Sequence, residues 1–260
     1  TNAIAHVVRT FNDSDVQNSG TSDPKKDIEV INTELVLADL QTLDKRLPRL
    51  EKEARANPKL APSLEAYRKI KELLEAGTPL FGKDFPVEHI ADLQLITAKP
   101  VIYVFNVDEA GLTNKPKQKS LADIVSPNRA LFVCAKIENE LRGLDETDRI
   151  ELLTSYGQVE SGLYQVIHAA YDILDLQSFL TAGEKEVRAW TIAKGATAPR
   201  AAGAIHSDFE RGFIAAQVIS YTDLLEAGSE QGAKAAGKIR TEGRTYVMQP
   251  DDVVEFRFNV

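Results

Sequence analysis

A chain of 260 residues with 43% hydrophobic and 27% charged side chains is globular by composition and long enough for two domains of ordinary size. A formal net charge of −8 argues against a whole surface devoted to nucleic acid, and the single cysteine, Cys134, excludes an intrachain disulfide or a multi-cysteine metal site. No window approaches the roughly 18 uninterrupted apolar residues of a membrane helix, and Thr1 to Gly20 lacks a basic segment followed by an apolar one, so a cytoplasmic protein that engages no membrane is expected.

In chain order, Ala3-Ile4-Ala5-His6-Val7-Val8-Arg9 is a short run of apolar and β-branched residues, read as a buried strand. Such a strand needs neighbours on both sides, so the chain is expected to begin inside an incomplete domain. After a polar loop from Asn12 to Asp27, apolar residues recur at Ile28, Ile31, Leu35, Leu40, Leu43, Leu47, Leu50 and Ala54, the spacing of a long amphipathic helix. Asn57-Pro58 breaks it, because proline lacks the helical donor and restrains the residue before it. Leu60, Leu64, Tyr67, Ile70, Leu73 and Leu74 resume the pattern until Gly77-Thr78-Pro79, which predicts an antiparallel helical hairpin. The charge is uneven here: Gln41 to Ala76 holds nine Lys or Arg against six Asp or Glu, so this stretch is +3 and the remainder −11.

Val101 to Phe105 is the clearest buried strand and leads into Asn106-Val107-Asp108-Glu109; Ala130 to Cys134 is a second and leads into Ala135-Lys136. Strand-loop-helix alternation of this kind favours a parallel sheet with crossover helices, an α/β fold. Leu163, Val166, Ile167, Ala170 and Leu174 give one further apolar helix face. From Gln177 onward the texture becomes α+β, with strand candidates at Val187 to Ile192, Ile214 to Ile219, Tyr246 to Met248 and Val253 to Phe258, and a boundary near Asp175.

Several strings, in order and spacing, resemble the YchF/Obg-like ATPase family, a branch of the translation-factor-related P-loop NTPases. They are His6-Val7-Val8-Arg9, Asp27 to Leu35, Asn106 to Glu109, Phe179 to Gly183 with Glu186 to Ile192, Ala201 to Ile214, and Ala235-Ala236-Gly237-Lys238. The resemblance covers essentially the whole chain. It implies the carboxy-terminal part of a P-loop NTPase domain over residues 1–27 and 80–174, a helical-hairpin (coiled-coil) insertion over 28–79, and a TGS domain of β-grasp type over 175–260. It also implies binding and hydrolysis of ATP, often in preference to GTP, with Mg²⁺, and association with the ribosome as a translation or stress regulator.

In the resembling GTPases a loop of the form Asn-Lys-x-Asp reads guanine. The matching loop here is Asn106-Val107-Asp108-Glu109, with valine for the lysine and glutamate for the aspartate. A longer carboxylate moves the acceptor, and an unpaired desolvated polar group costs roughly 1 to 3 kcal/mol, so guanine loses much of its advantage and adenine becomes acceptable. The second base loop is matched by Cys134-Ala135-Lys136, whose backbone N–H groups would face the base, Cys134 being a small packing residue. The cofactor-binding residues expected on these grounds are Asn106, Val107, Glu109, Cys134, Ala135 and Lys136. Taken alone, Asn106 to Glu109 is an ordinary strand-to-helix turn and Lys136 a solvated lysine; the preceding buried strand and the family strings favour the functional assignment.

No Gly-x-x-x-x-Gly-Lys-Ser/Thr occurs between Thr1 and Val260, so no catalytic or metal-binding residue is assigned; the resemblance implies that the phosphate and Mg²⁺ machinery lies upstream of Ala3. Many members carry a histidine in the loop after the first strand; the matching place here is near Asn18, and asparagine cannot exchange protons at neutral pH. The four histidines have no metal-ligand spacing. His6 reads as a strand histidine, His168 as a helix residue, and His206 as the donor or acceptor of a structural hydrogen bond; Trp190 reads as core rather than a stacking platform. Lys45, Arg46, Arg49, Lys52 and Arg55 give the hairpin a means of contacting ribosomal RNA or another partner, together with the TGS domain, although such a run is also an ordinary solvated helix face. A non-catalytic adaptor using the hairpin and TGS domain is the alternative, and a metabolic α/β enzyme ranks last for want of a triad, paired carboxylates or a cofactor fingerprint.

Overall fold

The computed structural model describes residues 1–11, 23–83, 89–183 and 186–259, so the position near Asn18 lies outside it. The chain folds as two compact units, Thr1–Ala170 and Tyr171–Val260. No helix among the described residues is long and apolar enough to cross a membrane.

The first unit opens with strand β1 (Ile4–Arg9) and a 33-residue helix α1 (Pro24–Ala56). The helix starts before the expected end of the polar loop at Asp27, because Asp23 caps it: the carboxylate accepts from Lys25 N at 3.0 Å and Pro24 fills the first helical position, where its missing N–H costs nothing. Pro48 lies inside the helix without ending it, with Leu43 and Leu50 buried on either side. Asn57 closes α1, and its side chain accepts from Lys59 N at 3.2 Å to open a single 3₁₀ turn, Pro58–Leu60; helix α2 (Ala61–Glu75) then returns. Ion pairs Lys71–Asp44 at 2.7 Å and Arg68–Glu51 at 2.9 Å fix the direction, since the numbers fall on one helix as they rise on the other: the hairpin is antiparallel.

Val36, Leu43 and Leu50, seven apart, pack on Ala66, Tyr67, Ile70 and Leu74. Each large side chain so buried contributes about 1.5 to 3 kcal/mol relative to exposure. The expected stripe was too wide: Ile31 is 39% exposed, and Val36 rather than Leu35 is fully buried. Ile90, Leu93 and Leu95, on the segment returning to the sheet, join the same cluster. Two polar contacts fasten that segment. The buried Asp39 carboxylate accepts from Ile96 N, Thr97 N and Thr97 Oγ1 at 2.8, 2.7 and 2.7 Å. The Tyr67 hydroxyl donates to both carboxylate oxygens of Asp92 at 2.8 and 2.9 Å.

Burial, and after it the hydrogen bond to Asp92, push the Tyr67 hydroxyl up to about 12. Its folded-state value lies above the unfolded value near 10, so this contribution to stability is complete below about pH 10 and is lost as pH rises through about 12. Ultraviolet titration of the phenolate signal is expected to show a step near pH 12 that disappears in Tyr67→Phe. An identical titration of the two proteins would contradict this.

Strand β2 (Val101–Asn106), helices α3 (Glu109–Thr113) and α4 (Lys115–Val125), strand β3 (Arg129–Val133) and helices α5 (Ala135–Leu141), α6 (Glu146–Ser155) and α7 (Gly162–Ile173) follow. The strands pair all-parallel in the order β1-β2-β3, with Val8, Phe105 and Phe132 in register. Val8, Tyr103 and Phe105 pack on Val107, Leu112, Leu121, Val125 and Ile28, so the base of α1 belongs to the sheet's core while its shaft has a core of its own. Two expectations need correction. Among the described residues strand β1 pairs on one side only and Val7 is 65% exposed, so the strand is half-buried. On α7, Leu163 and Ile167 are exposed and line an open groove of about 760 Å³ with Arg142 and Arg149. The inward residues are Gly162 and Ala169, because the helix start sits so close to β3 that a Cβ on Gly162 would lie 2.6 Å from Val133 Cγ1.

The second unit is a mixed five-stranded sheet, order β5-β4-β8-β6-β7, built from β4 (Leu176–Ala182), β5 (Val187–Ala193), β6 (Phe213–Ser220), β7 (Arg240–Glu242) and β8 (Asp252–Phe258). Ala198, Ala201 and Ala202 of helix α8 (Ala198–Ile205) are fully buried in a core with Phe179, Phe213, Val218, Met248 and Val254; their small side chains let the helix approach the strands closely. Helices α9 (Ser207–Arg211), α10 (Tyr221–Ala227) and α11 (Glu230–Ala235) complete the unit. Tyr246 to Met248, expected as a strand, forms only an isolated bridge between Val247 and Thr197. Its backbone serves the approach to α8 instead: Ala198 N donates to Tyr246 O at 2.8 Å and Met248 N to Ala196 O at 3.0 Å.

Candidate functional site

Two loops emerge side by side at the carboxyl ends of β2 and β3, where open α/β sheets bind ligands. Asn106 ends β2, and the Asp108 carboxylate then caps α3 by accepting from Gly111 N at 2.9 Å. Gly111 is needed there: a Cβ would sit 2.7 Å from Val107 Cβ and 2.9 Å from Asp108 Oδ1. Val107 is 1% exposed and donates its N–H to Val133 O at 2.9 Å, so its side chain supports the loop from within the core. Cys134 is a free, buried thiol at the junction of β3 and α5, and Ala135 and Lys136 are exposed beyond it.

The loops are tied at two points. Ala135 N donates to Asn106 Oδ1 at 3.2 Å, and Lys136 Nζ to Glu109 Oε1 at 2.6 Å. The hydrogen bond from Lys136 holds the Glu109 carboxyl below the usual carboxylate range, helped by its own backbone and by the lysine's charge; the same contact raises Lys136. The signs define a window: the acid's share of the pairing is lost as pH falls below about 4 and the lysine's as pH rises above about 10. At neutral pH both are charged, presenting a fixed acceptor and donor beside the backbone N–H of Ala135.

Residues that sequence reasoning missed brace these loops. Thr10 donates both its N–H and its hydroxyl to Asn106 O at 3.0 Å, and Lys117 Nζ donates to Thr10 O at 3.1 Å, so the chain leaving β1 is bound to the same asparagine. The Glu138 carboxylate accepts from Gly162 N and Leu163 N at 2.7 and 3.2 Å, capping α7 from α5. Nothing local in the sequence signals either contact, since the partners are remote along the chain.

The other singled-out residues have structural surroundings. His6 lies on β1 with its ring 5.2 Å from that of Tyr103, and burial lowers its pKa. His168 is exposed on α7, 3.2 Å from Glu160. His206 caps α9, its Nδ1 accepting from Asp208 N at 3.1 Å. Trp190 is half-buried, donates Nε1–H to Thr181 Oγ1 at 2.9 Å, and carries the Arg188 guanidinium 4.1 Å from its ring centroid. On the hairpin, Arg46 and Arg49 both pair with Glu53, at 3.3 and 2.8 Å.

Comparison with known proteins supplies independent findings. The family model described as "YchF-GTPase_C: Protein of unknown function (DUF933)" matches residues 176–259. "Ribosome-binding ATPase YchF" of Bacillus subtilis is 46% identical over 268 residues, spanning 99% of this chain and 73% of the relative. "Obg-like ATPase 1" of Caenorhabditis elegans is 38% identical, spanning 99% of this chain and 68% of the relative. A solved structure, that of the Schizosaccharomyces pombe YchF GTPase, superimposes with a TM-score of 0.81 at 34% identity, covering 98% of this chain and 72% of that one.

Proposed function

The chain belongs to the YchF/Obg-like ATPase family, and from that membership we propose that it carries the base-reading and partner-binding parts of a nucleotide-dependent, ribosome-associated ATPase. The observation behind the nucleotide assignment is the pair of contacts joining Asn106 to Ala135 and Glu109 to Lys136 across the ends of β2 and β3. In this proposal the backbone of Ala135 and Lys136 and the side chains of Asn106 and Glu109 meet the purine edge, with Val107 and Cys134 packing beneath them. Glu109 must exchange part of its bond to Lys136 for a base donor. Its longer side chain disfavours guanine, which makes ATP the preferred nucleotide and GTP the weaker one, each with Mg²⁺. No residue of this chain is assigned to the phosphates, the metal or the hydrolytic step.

Residues 28–79 are the family's coiled-coil insertion and residues 175–260 its TGS domain in this proposal, a partition supported by the separate core of the hairpin and by the five-stranded sheet packed on α8. The ribosome is the partner, engaged through the basic hairpin and the second unit in the cytoplasm. The test is a titration with fluorescent ATP and GTP analogues and Mg²⁺, using this chain beside a version extended upstream to include a P-loop. Tighter binding of the ATP analogue by the extended version supports the proposal. Failure of both versions to bind either nucleotide would leave an adaptor that uses the hairpin and second unit alone.

A further inference from the structure

The sheet of the second unit ends in two unlike edges. Strand β7 is three residues long and carries Arg240 and Glu242, the short charged kind of edge that resists further pairing. Strand β5, at the opposite edge, pairs with β4 over seven residues without a shift in register and contains no proline.

Which backbone groups of β5 face outward follows from the hydrogen bonds just beyond each end of its pairing with β4. Lys194 N donates to Asp175 O at 2.7 Å, and Gly183 N to Glu186 O at 3.0 Å. Bonded and non-bonded pairs alternate along an antiparallel ladder, and both ends give the same phase. Arg188, Trp190 and Ile192 therefore bond to β4, while the N–H and C=O groups of Val187, Ala189, Thr191 and Ala193 point away from it. Ala193 O is taken by Ala196 N at 3.1 Å; Val187, Ala189 and Thr191 have no backbone partner among the described residues. The side chains of all four are exposed and uncharged, so charge, proline and bulge, the usual guards of an edge, are missing from this row. Donors and acceptors that repeat every second residue match another extended backbone.

We infer that the outer edge of β5 docks an extended segment of a partner protein, which adds to the sheet as an antiparallel strand with an acidic residue opposite Arg188. This inference is independent of the nucleotide and ribosomal readings. Residues that bond inward to β4 fall in non-hydrogen-bonded pairs with an added strand, where Cα atoms come within about 4.5 Å and side chains are closest. Arg188 is such a residue, with its guanidinium 4.1 Å from the Trp190 ring centroid and only a 3.7 Å contact to Glu186. The partner strand thus carries an acid against Arg188 and, two residues before it, an apolar side chain against Trp190. A second copy of β5 does not meet this requirement: Val187 to Ala193 contains no Asp or Glu, and Ala189, Thr191 and Ala193 offer little apolar area for a symmetric pairing.

The test is amide hydrogen exchange of the full chain with a short fluorescent peptide of alternating valine and threonine that carries one glutamate two residues after a valine. Arg188, Trp190 and Ile192 amides are expected to exchange slowly in the chain alone, and those of Val187, Ala189 and Thr191 to become at least about tenfold slower only with peptide. Ala189→Pro, which removes an outward donor without touching the β4 ladder, is expected to weaken binding about tenfold. N-methylation of the peptide amides that face β5 does the same without altering the chain. A peptide with lysine for the glutamate is expected to bind several-fold more weakly and to be rescued by Arg188→Glu. No binding at millimolar peptide, or binding that protects other amides instead, would overturn the docking edge. Equal binding of the lysine peptide would overturn the acidic partner. Protection of the same amides that grows with chain concentration in the absence of peptide would make a second copy the occupant and overturn the inference.

Discussion

Asp39→Ala is expected to lower the unfolding free energy by roughly 2 to 4 kcal/mol, from the buried Thr97 amide left without an acceptor at about 1 to 3 kcal/mol and a smaller share from the part-buried Ile96 amide. Asp39 is 2% exposed and accepts three hydrogen bonds from Ile96 and Thr97, so it supplies the acceptors for a stretch of backbone that belongs to neither helix nor strand. That stretch connects the hairpin to β2, which ends at Asn106. Asp39→Asn tests the same point more gently, since it keeps the shape and one acceptor oxygen. Chemical denaturation of the three proteins should rank them parent, Asn, Ala in falling stability. A loss below about 1 kcal/mol in Asp39→Ala would mean that water replaces the carboxylate and that the segment is not buried as described.

The second large effect is expected at Gly212. Its φ is −87°, which any residue adopts, so the requirement is not conformational freedom. It is space. A Cβ at this position would lie 2.8 Å from the carbonyl carbon and 3.2 Å from the nitrogen of Asn259 and would collide with that residue's carbonyl oxygen. The obstacle is backbone, held by the hydrogen bond from Asn259 N to Gly212 O at 2.9 Å, and cannot rotate aside. Overpacking typically costs about 1 to 3 kcal/mol and more where backbone must move, so Gly212→Ala should lose about 3 kcal/mol or more. Gly143→Ala is the control, because a Cβ there meets nothing within 4 Å and the backbone needs no positive φ. Equal stability of the two variants would contradict the packing described.

The string Ala201 to Ile214, which helped to identify the family, has structural reasons at several positions. Gly203 lies so close to the Glu210 side chain that a Cβ there would displace it, His206 caps α9, and Gly212 admits the end of the chain. These are requirements of packing rather than of catalysis.

Elements with strong patterns were legible in the sequence. The runs at Val101 and Ala130 became β2 and β3 within a residue or so, and the spacing from Ile28 to Leu74 gave both helices and the antiparallel return. Legibility failed where a tertiary contact decided. Nothing near Asp39 in the sequence signals its burial, which depends on Thr97, far along the chain. Leu163 and Ile167 read as a buried face until Gly162 is found pressed on Val133, which turns the helix start inward through its smallest residue. Tyr246 to Met248 has strand-like residues but gives its hydrogen bonds to the approach to α8, whereas the polar Arg240–Glu242 pairs with β6. At the candidate site both loops could be located from their strands. That Asn106 holds Ala135, and that Glu109 and Lys136 face each other, are consequences of strand neighbourhood that no local pattern encodes.

Whether these two loops form one purine-base site can be read from the amide chemical shifts of the isotope-labelled chain, extended upstream to include a P-loop, followed during titration with adenosine diphosphate and separately with guanosine diphosphate. Perturbations are expected to centre on Val107 to Ala110 and Ala135 to Ile137, to be larger with the adenine nucleotide, and to be abolished by Asn106→Ala. Perturbations absent from both loops at saturating nucleotide, or confined to residues elsewhere, would contradict a shared base site.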